Sequence, residues 1–373
     1  EYGEGSKLGV DNIDCHIAGM IIQLPRPRQK TACQKRFQPA TAPTQNQLPH
    51  DYTVPQAIRT KVPEEYYSTT YIADRACEWL RAREGNPKPF FLMVSWPDPH
   101  HPFNPPGKYW DMYKPKDMVV PEAFETNDWD APEYVKVAEE NRRNDKTLGN
   151  KTGYSLAINR QEALEARALT CGMIAMIDDA VGRVREAADE AKVSDNTVQI
   201  FTSDHGDHLG DHRLLFKGAE QYDTLTRVPF IWSDPAGARG ARSDELAQTH
   251  DIGASILEHA KLEAPEGIQG RPMSVAGGAP RDSAFIQYET QRPQEASFGK
   301  APRAHTLIHE NWRLTFYRGK CKNELFDLAK DPGEMTNLWD SPDHLAVKVS
   351  MLELLAEHEI NAIDRVPFPT AEA

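Results

Sequence analysis

Residues 198–217 read as a strand that empties into a charged loop. Val198, Ile200 and Phe201 are β-formers, and Ser194-Asp195-Asn196 before them is turn chemistry. Beyond the strand come Ser203-Asp204-His205-Gly206-Asp207-His208-Leu209-Gly210-Asp211-His212 and then Lys217, which is three Asp–His pairs punctuated by glycine, followed by a lysine. An apolar strand has to be buried, so a sheet-based fold is required, with the polar loop at the strand's C-terminal end. Open α/β sheets bind ligands at that end. Carboxylate and imidazole side by side suit a divalent metal, and a lysine beyond them suits an anionic oxygen or leaving group. The plainer expectation from the same residues is a polar loop whose histidines face water.

The rest of the chain supplies the layers for such a sheet. Ser68-Thr69-Thr70 can cap a helix through Ile72, Ala73, Ala76, Cys77, Trp79 and Leu80, ending before Gly85-Asn86-Pro87. Pro89 to Trp96 is a near-continuous apolar run, the pattern of a strand buried on both faces of a parallel sheet. Its end delivers His100 and His101 in a proline-rich loop, where an imidazole can bond an anionic oxygen or donate a proton. Residues 107–160 are rich in Pro, Asp, Asn and aromatics and read as a long excursion. Arg160 to Lys192 is helical, with Ala163, Leu164, Ala168, Leu169, Met173, Met176, Ile177, Ala180, Val181 and Val184 at helical spacings. On that helix Asp178 and Asp179 are expected to be solvated or capping groups rather than an acid pair. Near the C-terminus, Trp312 to Tyr317 and Glu324 to Leu328 alternate as half-buried strands, and Val347 to Glu357 is a closing helix.

Two of these stretches carry a family resemblance. Ser203-Asp204-His205-Gly206, with Leu209-Gly210-Asp211-His212 and Lys217, resembles the second metal-binding motif of the sulfatase family within the alkaline-phosphatase superfamily. The histidine at 205 points to its arylsulfatase and phosphonate monoester hydrolase branch. Ser95-Trp96-Pro97-Asp98-Pro99-His100-His101-Pro102-Phe103 resembles a second family stretch, whose Pro-His-any-Pro pattern selects His100. Similar stretches run over roughly residues 50 to 370, including Arg227-Val228-Pro229, the helix opened by Asp251, and the turn Gln269-Gly270-Arg271-Pro272. The resemblance implies an α/β fold, a mainly parallel sheet sandwiched by helices, with a small C-terminal antiparallel sheet subdomain. It also implies a divalent metal ion (Ca, Mg, Mn or Zn) on Asp204 and His205, catalytic roles for His100 and Lys217, and a small anionic ester as substrate. Homo-oligomers are common in that branch.

The same family carries a Cys or Ser in a Cys/Ser-X-Pro/Ala-X-Arg motif, converted to formylglycine, and an earlier Asp pair completing the metal site. None of the five cysteines, Cys15, Cys33, Cys77, Cys171 and Cys321, lies in such a motif. The expectation is therefore a chain that enters partway through the fold, without its N-terminal formylglycine segment. Asp14-Cys15-His16 sits in an irregular, proline-broken first segment and carries no site assignment. The basic run Arg26, Arg28, Lys30, Lys35 and Arg36 is expected to be solvated.

A chain of 373 residues can bury a sizeable core. Its net charge of −13 argues against nucleic acid or an anionic membrane as partner, and no apolar run has the length of a membrane span. Five scattered cysteines without CxxC spacing read as reduced thiols in a cytoplasmic protein. The expected division is an irregular segment over 1–50, a partial sulfatase-like domain over 51–280 and a C-terminal α+β subdomain over 281–373. Three functions are compatible with this sequence. They are a metal-dependent hydrolase of sulfate esters, extending to phosphonate or phosphate diesters; a carboxylesterase-type hydrolase built on Ser203, His205 and an acid; and a truncated, non-catalytic member of the family.

Overall fold

The computed structural model of the protein describes residues 14–18, 47–125, 133–145, 155–289, 303–318 and 322–362. The basic run between Arg26 and Arg36, Cys33 and Cys321 lie outside the described residues. In chain order the main elements are β1 (Asp14–Ala18), α1 (Ser68–Arg81), β2 (Phe90–Val94), α2 (Glu133–Asn144), β3 (Leu156–Ala157), α3 (Arg160–Glu190), β4 (Gln199–Thr202), β5 (Leu214–Leu215) and β6 (Phe230–Ser233). They continue with α4 (Asp251–His259), β7 (Ser283–Glu289), β8 (Arg303–His309), β9 (Trp312–Tyr317), β10 (Glu324–Asp327) and α5 (Leu345–Asn361). The chain divides into two compact units, residues 1–119 with 161–198, and residues 120–160 with 199–373. No helix among the described residues is long and apolar enough to cross a membrane.

In the first unit, the 3.6-residue period of α1 buries Ile72, Ala73, Ala76, Cys77 and Leu80. Cys77 and Leu80 meet Ala187 and Ala188 of α3, and Phe90 and Leu92 of β2 pack against this cluster. The expected cap at Ser68-Thr69-Thr70 is not formed, because the residue preceding the helix, Tyr67, makes no side-chain cap bond. The Thr69 hydroxyl instead donates to the Asp98 carboxylate, a charge-assisted bond. Along α3 the buried positions include Ala163, Leu164, Leu169, Met173, Met176 and Ile177. Gly172 sits inside this helix because a Cβ there would run into the Tyr109 carbonyl oxygen. Asp178 is exposed, whereas Asp179 accepts a 2.5 Å hydrogen bond from the Tyr109 hydroxyl. Asp179 thus ties α3 to the short helix Lys108–Met112.

Two strands of this unit differ from expectation. Asp14–Ala18, read as irregular, forms β1 and pairs in parallel with β2, from Asp14 opposite Phe90 to Ala18 opposite Val94. Its partner lies 76 residues away in sequence, so no local pattern announces it. β2 is shorter than the run from Pro89 to Trp96 and is not buried on both faces. Its side chains alternate, and Phe91 and Met93 are 37% and 45% exposed.

In the second unit, part of the predicted excursion is helical, as α2 with Val135 fully buried. Glu, Lys, Ala and Arg, all good helix formers, dominate that stretch. β4 pairs antiparallel with β6, placing Phe201 opposite Ile231. β3 pairs antiparallel with β5. Of the mainly parallel sheet expected, the described strands thus give one parallel pair, β1–β2. The expected C-terminal antiparallel sheet is present, with strand order β10-β9-β8-β7.

One face of that sheet carries Leu307, Leu314 and Leu325, which pack against Met351 and Leu355 of α5. The other carries Thr306, Arg313, Thr315, Tyr317 and Glu324, and these are buried as well. Alternation is therefore kept, but both faces are covered, and all four residues of β10 are buried instead of half of them. Asp251, which opens α4, is a buried anchor. Its carboxylate accepts from the Gln248 and Arg271 backbone amides at 3.1 and 3.0 Å and from the Arg281 guanidinium at 2.6–3.0 Å.

Candidate metal and anion site

The loop after β4 is a folded hairpin. The His208 amide donates to the Phe216 carbonyl (2.9 Å) and Gly210 to Leu214 (2.7 Å), so the arm that follows Asp204-His205 is laddered to the arm that ends in Lys217, and the Gly206 amide donates to the Leu225 carbonyl (2.8 Å) beyond it. The tip turns through left-handed backbone at Gly210 (φ 100°), His212 (φ 49°) and Arg213 (φ 61°). The Lys217 carbonyl accepts from the Ser155 amide at 2.8 Å. Gly206 is required by close approach, since a Cβ at this position would run into the Thr224 carbonyl oxygen. Gly206→Ala is expected to cost about 1–3 kcal/mol through this overpacking, read as a fall in denaturation midpoint. An unchanged midpoint would mean that the neighbouring helical turn Asp223–Thr226 yields without cost.

The three Asp–His pairs have different environments. In the first, the Asp204 side chain is 85% exposed and that of His205 41%, with Nε2 and Oδ2 3.6 Å apart. His205 Nδ1–H donates to the Gly206 carbonyl at 2.7 Å, which fixes the tautomer and leaves the Nε2 lone pair on the Asp204 side. Asp204 Oδ1 accepts from the His205 amide at 2.9 Å. The other two pairs contradict the picture of histidines facing water, because His208 and His212 are 1% and 0% exposed. His208 Nε2 lies 3.7 Å from Glu220 Oε2, and Ser155 Oγ donates to that oxygen at 2.6 Å. His212 lies against Asp211 at 2.9 Å. Burial alone would push the Asp211 carboxyl up, but hydrogen bonds and charge from His212, with help from His208 and Thr224, hold it below the usual carboxylate range. In sequence the pairs look alike. The signal that separates them is the apolar Leu214-Leu215-Phe216 arm, entirely buried, which draws the third pair inward.

His100 belongs to the first unit and is exposed. Its Nδ1–H donates to the His101 carbonyl at 2.6 Å. His101 is buried at 9% exposure, and its ring lies against that of His100, tilted by 33° with centroids 4.0 Å apart. The loop is held by Asp98, which bonds Thr69 and accepts from the Tyr67 hydroxyl at 3.3 Å, while that hydroxyl also reaches Asn104 at 2.9 Å. Burial raises the Asp98 carboxyl above its ordinary range, against the pull of Thr69 and Tyr67. Asp98, Tyr67 and Thr69 have no individual sequence signal beyond the motif in which Asp98 stands.

The exposed first pair fits a divalent cation in part. Two ligands about 2.0–2.6 Å from one ion stand roughly 3–3.6 Å apart when they subtend about a right angle, and the 3.6 Å separation here lies within that range. Among the described residues no three His, Cys, Asp or Glu side chains converge on one point. Asp204 and His205 therefore form a pair of donors and not a full coordination shell.

Residues 19–262 match the Sulfatase family model, and residues 210–361 match the model described as N-sulphoglucosamine sulphohydrolase, C-terminal. The chain belongs to the sulfatase family, in the alkaline-phosphatase superfamily. Its fold is accordingly alkaline-phosphatase-like. It is 33% identical over 285 residues to an arylsulfatase of Clostridium perfringens, covering 75% of this chain and 55% of that protein. It is 31% identical over 314 residues to the multifunctional alkaline phosphatase superfamily protein PehA of Trinickia caryophylli, covering 80% and 60%. Among solved structures it resembles the phosphonate monoester hydrolase of Agrobacterium radiobacter with a TM-score of 0.69 and 25% identity, covering 84% of this chain and 65% of that one. The chain thus spans 55–60% of the length of these two curated relatives.

Proposed function

We propose that this chain contributes Asp204, His205, Lys217 and His100 to a metal-dependent hydrolase of sulfate esters, whose range extends to phosphonate and phosphate diesters. The observation that carries the reading is the first Asp–His pair. It ends a strand, stands open to solvent, and offers Oδ2 and Nε2 together while the remaining polar atoms of the pair are occupied by backbone. Bound there, a divalent ion would neutralise charge on the transferred group and polarise its oxygen. Asp204 supplies a negative oxygen and His205 an oriented neutral nitrogen. Lys217 brings a compact cation to hold the anionic ester. With Nδ1–H committed to the His101 carbonyl, His100 has Nε2 to exchange a proton with, or bond, an oxygen of the ester. Both the arylsulfatase and the phosphonate monoester hydrolase among its relatives support this substrate class.

The carboxylesterase reading has less support. Ser203 Oγ donates to the His205 carbonyl at 3.0 Å and lies 3.3 Å from Asp204 Oδ1, so its proton is directed to oxygen acceptors and not to an imidazole. The deciding measurement is metal content by elemental mass spectrometry of the complete protein and its Asp204→Ala variant, with turnover of aryl sulfate, phosphonate monoester, phosphodiester and carboxyl ester. Stoichiometric metal that is lost in the variant, together with sulfate- or phosphonate-ester turnover, is expected. Metal-free protein without such turnover overturns the reading.

A further inference from the structure

The third Asp–His pair lies at the hairpin tip, away from the exposed first pair, yet it makes the most elaborate set of contacts in the loop. The wholly buried His212 ring has Nδ1 2.9 Å from Asp211 Oδ2 and Nε2 3.2 Å from the Glu334 carbonyl oxygen. Both ring nitrogens thus stand within hydrogen-bond distance of an oxygen from a neighbouring segment or residue. The ring stacks on Tyr222 with centroids 3.8 Å apart and planes 7° from parallel. Asp211 Oδ2 also accepts from Thr224 Oγ1 at 3.0 Å. Tyr222 is fixed in turn by its hydroxyl, 3.1 Å from Glu324 of β10.

A tight turn has no need of this. Left-handed backbone at a residue with a side chain is unfavourable, as is a buried titratable group, and glycine with an apolar neighbour would close the hairpin more cheaply. The arrangement does something a plain turn would not. It pins the hairpin tip to the Glu334 backbone and Tyr222, and the ladder rungs at His208–Phe216 and Gly210–Leu214 carry that fixed point back along both arms. One arm leads back to Asp204 and His205, and the other leads to Lys217.

We infer that Asp211 and His212 are positioning residues that set where Lys217 stands relative to Asp204 and His205. The inference rests on the site reading given above, although its structural half can be measured without turnover. The test uses His212→Gln in the complete protein, with Asp211→Asn as a second variant should the first fail to fold. On an aryl sulfate, kcat is expected to fall about 10²-fold with KM within about threefold, because a misplacement of roughly 1 Å has that effect on rate. In a Lys217→Ala background the same substitution is expected to cost less than about threefold, since its route of action has been removed. Losses that multiply would overturn the inference.

Hydrogen exchange read by mass spectrometry provides the second arm. Peptides over residues 204–218 are expected to exchange at least about tenfold faster in the variant, while those of β8 and β9 stay unchanged. Unchanged exchange in the loop, or acceleration spread evenly over the chain, would overturn positioning whatever the activity. A wild-type protein inert on every ester would defeat the functional reading instead, and the exchange data would still decide whether His212 fixes the loop.

Discussion

Arg313→Met is expected to destabilise the protein by about 3–5 kcal/mol, the usual consequence of removing one partner from a buried charge cluster. Arg313 is 1% exposed, and its Nε lies against Glu334 Oε1. Nη1 is 3.5 Å from Glu324 Oε2 and donates to Thr315 Oγ1 at 2.7 Å. The guanidinium also covers the rings of Tyr222 and Phe326, at 5.0 and 4.7 Å from their centroids. Burial opposes a charge at this position, but Glu334 and Glu324 more than offset it, so the guanidinium is held charged above its ordinary range. Methionine fills much of the volume and leaves two carboxylates facing each other without a countercharge. Urea denaturation of wild type and variant measures the difference, and a loss below about 1 kcal/mol would show that water or a proton compensates for the missing cation. The triple variant with Glu324→Leu and Glu334→Leu is expected to recover most of the loss, because an apolar cluster has no charge to solvate.

That cluster also marks the boundary of what the sequence discloses. The strands around Arg313 and Glu324 were legible from their alternation, but their second buried face was not. Alternation identifies two faces without saying what covers each, and the cover on the polar side includes Tyr222 and Glu334 from separate loops. The helices α1 and α3 were legible because a 3.6-residue period over fourteen and thirty-one residues is hard to produce otherwise. β1 was illegible because it owes its existence to Phe90–Val94. Thr69 looked like a cap, accepting from a backbone amide, and became a donor to Asp98, a choice that only the tertiary fold resolves. At the candidate site, the motif singles out Asp204, His205 and Lys217 as residues. That His208 and His212 are buried while His205 is open depends on which arm of the hairpin packs inward.

Lys217→Ala is expected to lower kcat/KM on aryl sulfate or phosphonate monoester by about 10²–10³-fold, with the denaturation midpoint nearly unchanged. The magnitude is that of deleting one preorganised group aimed at developing charge. The structure sets Lys217 up for such a role through its backbone. Phe216 before it accepts from His208, its own carbonyl accepts from Ser155, and the side chain leaves a half-buried position instead of a mobile surface. A net charge of −13 makes a correctly placed cation more consequential, since the protein's overall field disfavours an anionic ester. Lys217→Arg is expected to recover little of the loss, because a planar fork does not stand where a compact ammonium does. Steady-state kinetics on both substrates, with a thermal melt of each variant, checks the two halves together. A loss below about tenfold in Lys217→Ala would remove the lysine from the proposed chemistry, whereas a large loss accompanied by a collapsed midpoint would assign it to the fold.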